Sequence, residues 1–283
     1  MDEGDSQLQY VNPTSDLAFK KVLGSNENIH ILQGFIKDFF SITPEDLVVE
    51  NPYSIKAYKE FINDKEGFRL RPTISDVAAV MRFADYRSEL QLRKGHHFDE
   101  RSLYYPLDKF VGRYRVIQGE DSAYARLRPV YAMNILGFKH FTTDDDALRI
   151  FQLYDPVRNK KFPKNILNLG YFELLKPNVE TENQKHWQDY FLQKPLHGDT
   201  PDYIRDAMQI IERSNMDKEE LEMITYTEYL QSIYDDQLAY AKDEGRVEER
   251  KKTARAMLRK GISIDDIMEI IDVTREQIEA LAH

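Results

Sequence analysis

Two strands written back to back between residues 74 and 92 constrain this chain more than any other feature of its sequence. From Arg87 to Leu92 charged or amide side chains alternate with small or apolar ones. A period of two places Arg87, Glu89 and Gln91 on one face of a strand and Ser88, Leu90 and Leu92 on the other. Glu89 and Gln91 then point the same way, about 6.5–7 Å apart along the strand. The preceding segment, residues 74–83, is apolar or small apart from Ser75, Arg82 and a single acid, Asp76. A hairpin folding back around residues 82–85 sets Asp76 opposite Gln91, within a residue or two. An aspartate, a glutamate and an amide therefore converge on one patch of sheet.

Two neighbouring carboxylates raise each other's pKa unless a positive charge lies between them. A hard divalent cation answers that need, because it takes carboxylate oxygens together with water and substrate phosphate. Mg²⁺ is the expected occupant, with Mn²⁺ or Ca²⁺ as substitutes, and Asp76 and Glu89 are its candidate ligands. Such a cation supports hydrolysis of a phosphodiester. Gln91 can orient a water or touch a phosphate, but an amide is no proton shuttle. Spacing alone leaves the ordinary alternative standing: a Glu-x-Gln pair on a solvated strand and an aspartate at a strand start.

The remaining text fits helices around a mixed sheet. Residues 13–16, Pro-Thr-Ser-Asp, open a short helix that Gly24 closes, and Ile29, Leu32, Phe35, Ile36, Phe39 and Phe40 mark a second. A helix from about Asp99 carries Leu103, Leu107, Phe110 and Tyr114, and Pro106 should start or kink it. Strands are expected at 47–49, 130–138, 148–154 and 166–175, with a turn over Thr142 to Asp146. Beyond Glu182 the pattern is helical: around Trp187, from Asp202, from Lys218 towards Glu249, then a further helix ended by Gly261 and two short capped ones at Ser263 and Thr274. The expected organisation is a flexible leader at 1–12, a core at 13–180, a helical extension at 181–241 and a basic helix with a short helix pair at 242–283.

Composition bounds the partners. The 283 residues carry no cysteine, which excludes thiolate metal sites and cysteine nucleophiles. No apolar run approaches the roughly 18 residues of a membrane span, and the acidic start is read as carrying no secretory signal, so a cytoplasmic location is expected. A net charge of −10 repels nucleic acid on average, so DNA must be met by a local basic patch or through bound cations. One such patch is the segment 242–260, with eight Lys/Arg against four Asp/Glu, in which Lys251, Arg255 and Arg259 recur every four residues on one helix face. The competing readings of that segment are a solvated helix laced by ion pairs, and self-association through Ala254, Met257, Leu258 and Ile262. His96 and His97 near the second strand read as solvent-exposed rather than as ligands.

The ordered set Asp76, Glu89-Leu90-Gln91 resembles the PD-(D/E)XK nuclease core, and within it the Rpn branch of recombination-promoting, transposase-like nucleases, in which Gln stands for the usual Lys. Further segments carry the likeness: Asp16 to Gly24, Arg101 to Tyr105, Gly119 to Tyr124, Pro129-Val130-Tyr131 with Ile135-Leu136, Phe172 to Lys176, and the tail from Asp243. The resemblance implies an α/β fold with a mixed sheet flanked by helices and metal-dependent DNA cleavage. Asp76 and Glu89 would be metal ligands, with Gln91 in the lysine's place. Asp16 would assist from the first helix or serve only as its N-terminal acid. Arg101 and Tyr105, four apart on one helical face, would reach a phosphate or brace the sheet. Two rivals stand beside the nuclease: a catalytically silent DNA- or protein-binding module on the same scaffold, motivated by the missing lysine, and a DNA-strand transferase.

Overall fold

The computed structural model describes residues 9–63, 77–116 and 127–281. They divide into two compact units, one up to Leu221 and one from Glu222.

The first unit is built on a six-stranded mixed sheet. Its elements in chain order are α1 (Asp16–Leu23), α2 (Ile29–Phe40), β1 (Val48–Val49), α3 (Ile55–Asn63), β2 (Val77–Val80), β3 (Asp85–Gln91), α4 (Phe98–Val116), β4 (Val130–Leu136), β5 (Leu148–Gln152), β6 (Tyr154–Asp155), β7 (Lys160–Lys161), β8 (Leu167–Glu173), α5 (Glu182–Phe191) and α6 (Asp202–Ile210). The strand order is β1-β2-β3-β4-β8-β5. The ladders β3–β4 and β4–β8 are parallel, and the outer ones are antiparallel. Parallel neighbours require long crossovers, and α4 supplies the one from β3 to β4. The sequence expectation of a mixed sheet flanked by helices holds.

Alternation along β3, β4 and β8 sorts side chains to two faces. Tyr86 and Tyr131 meet Phe40 edge-on, and Phe172 meets Phe39. This face lies under α2 and continues through Phe35 into Trp187 and Phe191 of α5. Trp187, Phe35, Phe19 and Phe172 are fully buried, each contributing roughly 1.5–3 kcal/mol or more of transfer free energy. The opposite face carries Ala132, Leu136, Leu169 and Tyr171, packed with Phe98 at the start of α4.

Local chemistry explains the ends of α1. Ser15 is its N-cap and accepts from the Ala18 N–H, as the sequence suggests. Gly24 closes it for a different reason than a left-handed turn: its φ is −101°, and a Cβ there would lie 2.5 Å from the Lys20 carbonyl oxygen. Behind α2, Asp38 ties three elements together. Its carboxylate accepts from Trp187 Nε1 at 2.9 Å, Tyr203 OH at 2.8 Å and Asn183 Nδ2 at 2.8 Å.

Several boundaries differ from expectation. Of the expected leader, Tyr10 bridges Glu212 and Val11 donates to the Ile211 carbonyl, with no surface of Val11 exposed. Pro106 lies inside α4, which starts eight residues earlier at Phe98, so it does not open that helix. A proline inside a helix withholds one N–H from the ladder and crowds the carbonyl four residues before it, here that of Ser102. The helix α3 is not among the expected elements, although Ile55, Tyr58 and Ile62 recur at helical spacing. The residues expected as a loop at 64–72, and Gly119 to Tyr124, lie outside the described residues.

The second unit contains most of α7 (Lys218–Arg259), followed by α8 (Ile264–Ile270) and α9 (Arg275–Glu279). Sequence reading broke α7 near Glu249, but it is one helix of 42 residues. No glycine or proline lies between Glu249 and Arg259 to end the helix there. Ser263 caps α8, and Thr274 with Gln277 forms a capping box on α9. Ala254, Ile267 and Ile278 form a small core joined by Met257, Leu258 and Ile262. The side chains offered for self-association are therefore committed to packing within the chain.

Candidate active site

Strand β3 is held between β2 and β4, which makes it one of the most constrained elements of the sheet. Val77 pairs with Ser88 and Val80 with Asp85. This antiparallel ladder differs by two residues from the register that sets Asp76 opposite Gln91, within the expected tolerance. The two-residue connection is Arg82-Phe83, closed by Met81 N–H donating to the Ala84 carbonyl at 2.8 Å. Sequence reading had put the tip at Ala84-Asp85. Asp76 itself lies outside the described residues.

Glu89 sits at the middle of β3 with 5% of its surface exposed. Its register partner on β4 is Asn134, also buried, whose Nδ2 donates to the Gly170 carbonyl at 3.1 Å. That bond occupies the amide's donor end and leaves Oδ1 as its acceptor. Helix α4 covers this face. Glu89 and Asn134 line a cavity of about 10 Å³ together with Arg87, Ser102, Tyr105 and Pro106. Such a space holds about one water-sized particle.

The helix reaches down to β3 at two points. Arg101 Nη2 donates to Gln91 Oε1 at 3.2 Å. Gln91 Nε2 donates to the Arg93 carbonyl at 2.9 Å, so both ends of its amide are engaged. The Arg87 guanidinium lies over the Tyr105 ring, 4.5 Å from its centroid. Tyr105 and Arg101, singled out in the sequence as four apart on one helical face, thus both meet the strand that carries Glu89. A third tie goes further across the sheet: the hydroxyls of Ser102 and Tyr171 are 2.7 Å apart and buried. Burial pushes the Tyr171 phenol up, with Asp99 acting in the same direction and the Ser102 hydrogen bond opposing.

The other candidates stand on other elements. Asp16 occupies the first turn of α1, where an acid complements the helix dipole. Lys251, Arg255 and Arg259 lie on α7 in the second unit, with Arg255 3.9 Å from Glu248. His97 lies 3.9 Å from Glu100 and is mostly exposed. Asp144, in the acidic turn, is bound by Arg149 and accepts from the Asp146 N–H.

Where the strands β4 and β8 end, Glu173 and Lys176 form a buried pair at 2.8 Å, exposed by 0% and 1%. Glu173 Oε1 also accepts from the N–H groups of His140 at 2.5 Å and Phe141 at 3.1 Å. Sequence reading noticed this segment only through its likeness to a family motif. Acid and cation three residues apart, at the end of an apolar strand, were the available sign of a buried pair.

A family model described as PD-(D/E)XK nuclease family transposase matches residues 13–244. The chain belongs to that family. No curated protein matches it, and no solved structure does. The match spans the whole sheet, the Asp76 to Gln91 segment and the first part of α7, so the nuclease-transposase family is the frame in which Glu89 has to be read.

Among the described residues no three of His, Cys, Asp and Glu gather as a metal site. The residues around Glu89 nevertheless include oxygen donors of the kind a hard cation takes: a buried carboxylate with Asn134 as its register partner, and the hydroxyl residues Ser102 and Tyr105 in the cavity wall. Two guanidinium groups, of Arg87 and Arg101, stand on the same side of the sheet, where they can balance the negative charge of a carboxylate or a phosphate.

Proposed function

We propose that this chain is a divalent-metal-dependent DNA endonuclease, with Asp76 and Glu89 as the ligands of Mg²⁺. The observation that carries the reading is Glu89: a buried carboxylate on an inner strand, lining a small cavity with Asn134, Ser102 and Tyr105, in a chain of the nuclease-transposase family. Burying a carboxylate is costly without a compensating charge, and a site that retains one does so for packing partners or for a ligand. Asp76 immediately precedes Val77, the first residue of the strand that pairs with β3.

When bound, the cation supplies charge neutralisation at the phosphodiester and a water activated for attack. Glu89 would be one of its ligands, with Asn134 its register partner on β4. Arg101 fixes the Gln91 amide, and Arg87 lies flat on Tyr105, so neither guanidinium has to be ordered when substrate arrives. Preorganised donors of this kind add to rate because their reorganisation is already complete. Plasmid nicking with Mg²⁺, Mn²⁺ or Ca²⁺ tests the proposal. Wild type should convert supercoiled to open-circular DNA and Asp76→Ala should not; equal activity would falsify the assignment.

One observation favours a second reading. Both ends of the Gln91 amide are engaged by Arg101 and the Arg93 carbonyl, which makes Gln91 a clamp between β3 and α4. On that reading the chain is a catalytically silent DNA- or protein-binding module. Calorimetric titration with Mg²⁺ or Mn²⁺ separates the two, because the silent module binds no cation in a manner that depends on Glu89.

A further inference from the structure

The sheet ends in an edge strand, β5, and the chain then leaves it as a separate two-stranded ribbon, β6–β7. Tyr154 pairs with Lys161 and Asp155 with Lys160. The turn is fixed from within. Asp155 Oδ1 accepts from the N–H groups of Val157 and Arg158, Asp155 Oδ2 pairs with Arg158 at 3.0 Å, and Asn159 adopts a left-handed φ of 55°. Asparagine tolerates that conformation better than most residues.

The ribbon is basic in an acidic protein. Between Asp155 and Lys164 there are four cations, Arg158, Lys160, Lys161 and Lys164, and one acid. The chain as a whole carries −10. Arg158 is engaged by Asp155, whereas Lys160, Lys161 and Lys164 are exposed and form no ion pair among the described residues. Strand alternation sends Lys160 and Lys161 to opposite faces of the ribbon. At its base, Lys161, Lys164, Gln152 and Asn165 border an open cavity of about 140 Å³.

We infer that the β6–β7 ribbon is a DNA-gripping element that enters the major groove of duplex DNA. The inference deepens the nuclease reading and rests on it for the choice of DNA as partner. Three features carry it. A two-stranded ribbon matches the major groove, which is about 12 Å wide. Lysines on both of its faces meet the two phosphate backbones that wall such a groove, while the lysine-flanked cavity at the base accommodates a single phosphodiester group. Finally, a chain with net negative charge needs a local cationic element to hold DNA at all. Glu89 shares its cross-sheet row with Asn134, Tyr171 and Arg149, and the ribbon begins five residues after Arg149. With strands ~4.8 Å apart and ~3.3 Å per residue, that sets the ribbon roughly 20 Å from Glu89. At ~3.4 Å per base pair, this is about six base pairs from the point of cleavage.

The test is fluorescence anisotropy with a labelled 30-base-pair duplex in EDTA, so that binding is read without metal or cleavage. Replacing Lys160, Lys161 and Lys164 together by Ala should weaken binding on the order of 10-fold or more, and lower the slope of log affinity against log salt by about 3. Unchanged affinity and slope would overturn the inference. So would loss of binding in a Lys251→Ala, Arg255→Ala, Arg259→Ala variant with the ribbon variant intact, no binding by wild type, or tighter capture of an RNA duplex through the same lysines. A wild type that binds through the ribbon but fails to cleave DNA with Mg²⁺, Mn²⁺ or Ca²⁺ defeats the nuclease reading and leaves the ribbon standing. A wild type that cleaves while the ribbon variant binds normally does the reverse.

Discussion

Arg101 and Gln91 are joined across the interface of α4 and β3 by a hydrogen bond of 3.2 Å from Nη2 to Oε1. The position where the nuclease resemblance expects a lysine is therefore facing a guanidinium. Glutamine suits that environment because its carbonyl accepts from Arg101 while its amide nitrogen donates to the Arg93 carbonyl.

Restoring a lysine at this position should consequently harm the protein rather than improve it. In Gln91→Lys a second cation meets Arg101, a contact worth about 0.5–1 kcal/mol in the unfavourable direction at a half-exposed site. We expect a Tm about 2–4 °C lower and no gain in plasmid nicking, with Gln91→Lys, Arg101→Gln recovering the Tm. Thermal melts of the three proteins decide it. A Gln91→Lys variant more stable or faster than wild type would show that the clamp is unimportant.

Glu89→Gln keeps the size of the side chain and removes only its charge. If Glu89 holds the cation, nicking should fall by at least about 100-fold, the equivalent of nearly 3 kcal/mol of lost transition-state stabilisation. Far-ultraviolet circular dichroism should be unchanged. Calorimetry should show the cation isotherm flattened, and an isotherm identical to wild type would remove Glu89 from the ligand set.

Lys176 and Glu173 make a different case, a buried ion pair at the end of the sheet. Lys176→Met strands a carboxylate that is fully buried, although two backbone N–H groups still serve it. Breaking a buried pair from one side costs about 3–5 kcal/mol, so chemical denaturation should show a loss of that order. The double variant Glu173→Gln, Lys176→Met should recover part of it. Additive losses would mean that the two charges do not act as a pair.

The Asp144 carboxyl is held down to about 2, first by the hydrogen bond from Arg149, then by the Asp146 N–H. A depressed carboxylate contributes stability above its unfolded value, which is 3.8, and loses that contribution as the pH falls towards 2. Carbon-detected nuclear magnetic resonance should follow the Asp144 titration in that window. In Arg149→Ala the midpoint should move up towards 3.8. A midpoint that stays near 2 would assign the effect to the other donors, the Asp146 N–H and the Thr143 hydroxyl.

Much of this architecture could be read before any coordinates. Alternation from Arg87 to Leu92 announced β3, three- and four-residue spacing announced α2, and capping residues placed the starts of α1, α8 and α9 within a residue or two. Those features are local: period and capping depend on neighbours in the chain, and a single chain carries both. The continuation of α7 past Glu249 differs from the reading, although the sequence there holds no glycine or proline that would end a helix.

The sequence by itself determined that Glu89 and Gln91 share a face, that the sheet is mixed, and that thiolate chemistry is absent. It also determined the family, since matching residues recur in order over most of the chain. What only the tertiary structure decided is who stands opposite whom: Asn134 beside Glu89, Arg101 on Gln91, Arg87 over Tyr105, and Glu173 against Lys176. Each of these except the last joins separate elements, or strands linked by a long crossover. Strand register and helix docking are set by the summed packing of a whole face, a quantity that no window of sequence contains.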